Sequence, residues 1–66
     1  IGQGAAKAAA LKHAGLTESQ TTKMKVKQDW DDGRLEYEVE FESGRMEYEY
    51  TIDGATGAIL EYEWND

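Results

Sequence analysis

The 66-residue chain carries fourteen acidic against seven basic side chains, a formal net charge of −7, and neither cysteine nor proline. A chain of this length makes one domain, spanning residues 1–66, with a thin core, because it buries only about 60% of its unfolded surface. The charge disfavours nucleic acid and anionic membranes as partners, the missing cysteines exclude disulfide or thiolate support, and no apolar run could cross a bilayer. The first residue is Ile1, which reads as the start of a processed or excised segment, so any export signal or anchor belongs upstream.

The helical signal covers Gln3–Ala14. Alanine or leucine fills seven of the first fourteen positions, Gly15 stands where a C-terminal cap belongs, and Lys12 and His13 suit the negative end of the helix dipole. Gly2 is the expected N-cap, with Ile1 stapled against Ala6. Spacings of three and four line Ala6, Ala9, Ala10 and His13 along one unusually small face. Leu16 follows into the core, and Thr17–Thr21 is a polar link.

From Thr22 to Trp30 the period changes to two. Met24, Val26 and Trp30 share one face, with Gln28 as a polar exception, while Lys23, Lys25, Lys27 and Asp29 share the other. Asp32-Gly33 is a strong hairpin signal. A two-residue turn there sets Trp30 against Leu35, Val26 against Val39 and Met24 against Phe41. The same register sets Lys27, Lys25 and Lys23 against Glu38, Glu40 and Glu42, so both faces agree. A second turn at Ser43-Gly44 is expected to oppose Phe41 to Met46, Val39 to Tyr48 and Tyr37 to Tyr50. It would also oppose Glu40 to Glu47 and Glu38 to Glu49, crowding that should push the outer glutamates above the usual carboxylate range.

Asp53-Gly54-Ala55-Thr56-Gly57 is a third turn, and Ala58–Trp64 a final strand. Leu60, Tyr62 and Trp64 are expected to face inward, with Ile59 covering the sheet end. The pattern predicts an α+β fold: one N-terminal helix packed on a four-stranded antiparallel meander sheet.

The segments Ala10–Thr17, Asp31–Phe41 and Glu47–Leu60 resemble a PepSY domain, most specifically in the tyrosine-rich central hairpin and the Ile-Asp-Gly-Ala-Thr-Gly-Ala-Ile turn at 52–59. The resemblance implies a helix on an antiparallel sheet. It also implies the settings of that family: propeptides of thermolysin-type secreted metallopeptidases, germination and cell-envelope proteins, and single or tandem repeats in small secreted proteins or lipoproteins. There the domain is thought to restrain peptidase activity by protein contact, which places this chain outside the cell or in the envelope. Gly2-Gln3-Gly4 departs from the pattern, standing where a serine or threonine cap and an acidic first turn are common.

No catalytic set emerges. His13 is the lone histidine, without serine, cysteine or second histidine to complete a constellation, and packing at the helix–sheet border accounts for it. Asp29, Asp31, Asp32 and Asp53 lack the spacing of a calcium loop, and turn chemistry accounts for Asp32 and Asp53. The outer glutamates Glu36, Glu38, Glu40, Glu42, Glu47 and Glu49 form a solvated face, and a convex strand face offers no cleft for paired-carboxylate catalysis. No cofactor or metal is expected. Trp30, Tyr62 and Trp64 read as core or core-edge residues. Because the fourth strand is an edge with few guards against pairing, Trp64 and Tyr62, flanked by Glu47 and Glu49, form the expected partner surface. The reading is a non-enzymatic protein-interaction module that modulates a secreted or envelope peptidase. The alternative is an assembly domain, one repeat of a longer envelope protein, that dimerises through an edge strand.

Overall fold

The computed structural model describes residues 1–66. Its elements are α1 (Gln3–Ala14), a short 3-10 turn (Glu18–Gln20), β1 (Thr22–Asp31), β2 (Arg34–Ser43), β3 (Met46–Asp53) and β4 (Ile59–Asn65). The strands form one antiparallel sheet in the order β1-β2-β3-β4, and the helix lies across one face of it.

The helix ends as its sequence requires. Gly15 adopts a left-handed backbone (φ 76°), the Leu16 N–H returns to the Leu11 carbonyl (3.0 Å), and the Gly15 N–H returns to Lys12 (3.2 Å). That is the Schellman closure, which satisfies carbonyls the helix leaves free. At the other end Gly2 caps without a side chain. The chain is held there by Ile1: its nitrogen donates to the Gly54 carbonyl, and its carbonyl accepts from the Tyr37 hydroxyl (2.9 Å). The polar link after Leu16 is more ordered than its composition suggests. Thr17 and Gln20 form a capping box around the 3-10 turn, Lys7 reaches Glu18 (3.0 Å), and the Ser43 hydroxyl donates to the Gln20 carbonyl (2.8 Å).

Ala6, Ala10 and Leu11 bury against Tyr37, Val39, Phe41, Tyr50 and Ile52. Ala6 and Ala10 are fully inaccessible, so small side chains let the helix approach the sheet closely. Leu16, Met24, Val26, Leu35, Tyr48 and Ile59 ring this centre. Trp30 does not join it. It is 63% exposed, because the Trp30–Leu35 pair lies one row beyond the Gln28–Tyr37 row, where Ile1 and the helix start are anchored.

The β1–β2 register is as expected from Asp31–Arg34 to Lys25–Glu40. Beyond it a bulge intervenes: Lys23 takes φ 56°, and Thr22, not Lys23, stands opposite Glu42. Lys23 Nζ still lies 3.6 Å from the Glu42 carboxylate, while Lys25 and Lys27 face their glutamates without closing an ion pair. Met24 loses its direct opposition to Phe41 yet packs on the core.

Between β2 and β3 the expected register is off by two residues. The loop is Gly44-Arg45, flanked by Ser43 and Met46. Gly44 has φ 61°, the first-position glycine of a type II′ turn, whereas Ser43-Gly44 would have placed glycine second. Phe41 therefore faces Tyr48, Val39 faces Tyr50 and Tyr37 faces Ile52, while Glu42 faces Glu47 and Glu40 faces Glu49. A two-residue slip preserves which face each side chain occupies, so the core is unchanged in membership.

A second bulge lies between β3 and β4. Ile52 opposes Ile59 and Thr51 opposes Glu61, leaving Leu60 as the extra residue. Ile59, not Leu60, takes the inward place, and Leu60 is 37% exposed. The turn before it is held by Asp53, whose carboxylate accepts from the N–H groups of Ala55 (2.7 Å) and Thr56 (3.1 Å). Those bonds hold its pKa below the ordinary carboxylate value.

Two outcomes are expected. Gly54 has no room for a side chain: a Cβ there would lie 2.5 Å from Leu35 Cγ and 2.7 Å from the Leu35 carbonyl oxygen. Gly54→Ala should cost about 1–3 kcal/mol in urea unfolding, because the neighbouring backbone must shift. A depressed folded-state pKa means that the stabilisation from Asp53 is present above its unfolded value and lost as pH falls through the folded one. The melting temperature of Asp53→Asn, which keeps the oxygen acceptor, should therefore fall less steeply than wild type between roughly pH 5 and pH 2.

Candidate functional site

The helix leaves part of its own face of the sheet uncovered along β4. Tyr62 is 57% exposed and Trp64 44% exposed, although both share the face of the buried residues. They are held in an aromatic run: Tyr50 opposes Tyr62, Tyr48 opposes Trp64, and Phe41 stacks on Tyr48 with ring centroids 5.0 Å apart. The expected inward place of Tyr62 and Trp64 is thus half right. They face the helix side, but the helix crosses β1, β2 and β3 and stops short of covering β4.

Tyr50 fixes this patch. Its ring is buried, 2% exposed, and its hydroxyl accepts from the Trp64 indole N–H at 3.0 Å and meets His13 Nδ1 at 3.0 Å. With the oxygen accepting from Trp64, the hydroxyl proton is available to a neutral His13 ring. Burial raises the Tyr50 phenol above its ordinary value, with the Trp64 hydrogen bond opposing. The His13 ring lies 4.5 Å from that of Tyr62 and 5.4 Å from that of Tyr50. His13 is therefore a border residue, as its place on the alanine face implied. The bond to Tyr50 was not legible, since it depends on how the helix crosses the sheet.

Glu47 and Glu49, the other two residues expected at the partner surface, point to the opposite face. They meet the patch only through the strand edge, where Glu49 opposes Glu63 and Glu47 opposes Asn65. That outer face is not convex. It carries an open hollow of about 400 Å³ lined by Lys23, Lys25, Glu40, Phe41, Glu42, Glu47, Tyr48 and Glu49, and a smaller open one of about 170 Å³ beside Glu61 and Glu63. Rows across it run from cation to anion: Lys25, Glu40, Glu49, Glu63, then Lys27, Glu38, Thr51, Glu61. Glu36 is held above the ordinary carboxylate value by partial withdrawal from water, then by Asp31, with Arg34 opposing. No three His, Cys, Asp or Glu side chains converge as a metal site.

The family model described as "Peptidase propeptide and YPEB domain", PepSY, matches residues 1–63. An "Uncharacterized protein Spy1430" of Streptococcus pyogenes serotype M6 is 43% identical over 56 residues, covering 85% of this chain. The chain spans 43% of that relative's length. No solved structure matches it significantly. No helix is long and apolar enough to cross a membrane.

Tyr50→Phe removes both hydroxyl contacts and nothing else. It should lower stability by about 1–3 kcal/mol in urea titration, two hydrogen bonds at 0.5–1.5 kcal/mol each. It should also shift the Trp64 indole N–H resonance. An unchanged midpoint and resonance would show that the hydroxyl does not hold the patch.

Proposed function

The chain belongs to the PepSY family, and on that premise we propose that it is a non-enzymatic interaction module that restrains a secreted or envelope peptidase through the β4 edge. The observation that carries the reading is the exposed aromatic pair on an edge strand: Trp64 is hydrogen-bonded to Tyr50, and Tyr62 packs its ring against those of His13 and Tyr50. An aromatic anchor with an immobilised ring loses little conformational freedom on docking, which is why such side chains dominate interface energetics. The backbone of an edge strand adds hydrogen-bonding groups that an extended segment of a partner can meet. Family membership supports a place outside the cell or in its envelope, and a single domain of this extent.

The test is a thermolysin-type secreted metallopeptidase assayed on a fluorogenic peptide with the purified chain added. Inhibition should rise with chain concentration. Tyr62→Ala should weaken it about tenfold or more, the scale of an interface anchor. Trp30→Ala, which removes an equally exposed ring on the far edge, should leave it unchanged. A peptidase rate indifferent to a large excess of the chain would remove the proposal.

A further inference from the structure

We infer that the β4 edge of one chain pairs with the β1 edge of a second copy, continuing the sheet head to tail. This goes beyond the peptidase reading: a second copy would compete with a peptidase for the same edge, and the test below uses the chain alone, so its failure leaves the peptidase reading standing.

Backbone direction comes first. Asp31–Arg34 and Ser43–Met46 each flank a two-residue turn and are therefore hydrogen-bonded pairs. Counting outward by twos, Lys25, Lys27 and Asp29 turn their main-chain groups to β2, and Val26 and Gln28 turn theirs to the free edge. On β4, Glu61 and Glu63 turn to β3, and Tyr62 and Trp64 turn to the free edge. Antiparallel addition of β4 to a neighbour's β1 can therefore pair Tyr62 with Val26 as a hydrogen-bonded couple.

Side chains then agree with that register. It sets Glu61 against Lys27 and Glu63 against Lys25 on the outer face, and Tyr62 against Val26 on the helix face. Unlike charges opposed across strands stabilise a pair, and like charges destabilise it. Lys25 and Lys27 are exposed and close no ion pair within their own chain, so both remain available. Sliding by two residues one way sets Glu61 against Asp29. Sliding the other way runs Glu63 into the bulge at Lys23.

The symmetric pairings centred on Tyr62 or on Val26 fail on charge. Two β4 strands centred on Tyr62 oppose Glu61 to Glu63, and two β1 strands centred on Val26 oppose Lys25 to Lys27. The lysines of β1 match β4; a β1 pair centred on Gln28, which would set Lys27 against Asp29, closes at two chains, and the mass measured below separates it from the open pairing. The rows already run from lysine on β1 to glutamate on β4, so a second copy repeats the row. More of the streptococcal relative lies outside the match than within it, a length that can hold a further unit of this size. The net charge of −7 opposes approach of two copies. At 0.1 M salt that repulsion is screened beyond about 10 Å, while opposed side chains are closer than that.

Sedimentation at 0.1 M salt, from micromolar to millimolar chain, tests the inference. The weight-average mass should climb from 7.4 kDa past twice that value, because a heterologous contact does not close on itself. The variant Glu61→Lys/Glu63→Lys relieves the crowding against Glu49 and so folds, but opposes lysine to lysine at the contact. Alone it should stay at the mass of one chain. In excess over wild type it should cap assembly at two chains, since its β1 still accepts a wild-type β4. A wild type that stays single, a mass that stops at two chains, or a variant that assembles like wild type would each overturn the inference.

Discussion

The pairing of β2 with β3 is the constraint on which the other features rest. These two strands contribute every buried side chain of the sheet: Tyr37, Val39, Phe41, Tyr50 and Ile52. Because side chains alternate, a one-residue slip would send this set to water and bring the glutamates beneath the helix. Gly44 prevents it. In the first position of a type II′ turn it fixes the loop at two residues, and strict alternation on both sides fixes the faces. The helix answers with alanine at the two points of closest approach, so that aromatic rings fill the layer between.

Much of this was legible because the relevant signals are local. The helix bounds follow from an alanine run ended by glycine, and the first hairpin from Asp32-Gly33, whose two residues both adopt positive φ. The structure departs from the sequence pattern where one residue's conformation decides between neighbouring registers. Ser43-Gly44 and Gly44-Arg45 give the same alternation and differ only in which turn position the glycine occupies. The bulges at Lys23 and Leu60 change the count on one strand without altering composition, so Met24 and Leu60 were placed by a regular ladder that is not there. Trp30 lies outside the core for a different reason: nothing in a strand pattern says where the covering helix begins.

The site shows the same division. Exposure of Tyr62 and Trp64 follows from the position of β4 at the edge and the short reach of one small helix. That Tyr50 gathers His13 and Trp64 onto one hydroxyl depends on the crossing of helix over sheet, which no periodicity encodes. Glu47 and Glu49 fell on the opposite face from the aromatic pair. The surface is therefore two-sided at its edge, aromatic toward the helix and acidic away from it, and an added strand would meet both sides together. Family membership and the unguarded edge support a function exercised by contact.

The register of the central hairpin can be read directly from α-proton distances. In antiparallel strands the non-hydrogen-bonded pairs bring their Cα atoms to about 4.5 Å, close enough for a strong cross-peak in a NOESY spectrum. With Ser43–Met46 hydrogen-bonded, those pairs are Glu42–Glu47 and Glu40–Glu49. Strong α-proton cross-peaks between these residues are the result predicted here. Strong cross-peaks linking Phe41 to Met46 and Val39 to Tyr48, the close pairs of a Ser43-Gly44 turn, would contradict it, and with it the placement of Tyr50 beneath His13 and Trp64.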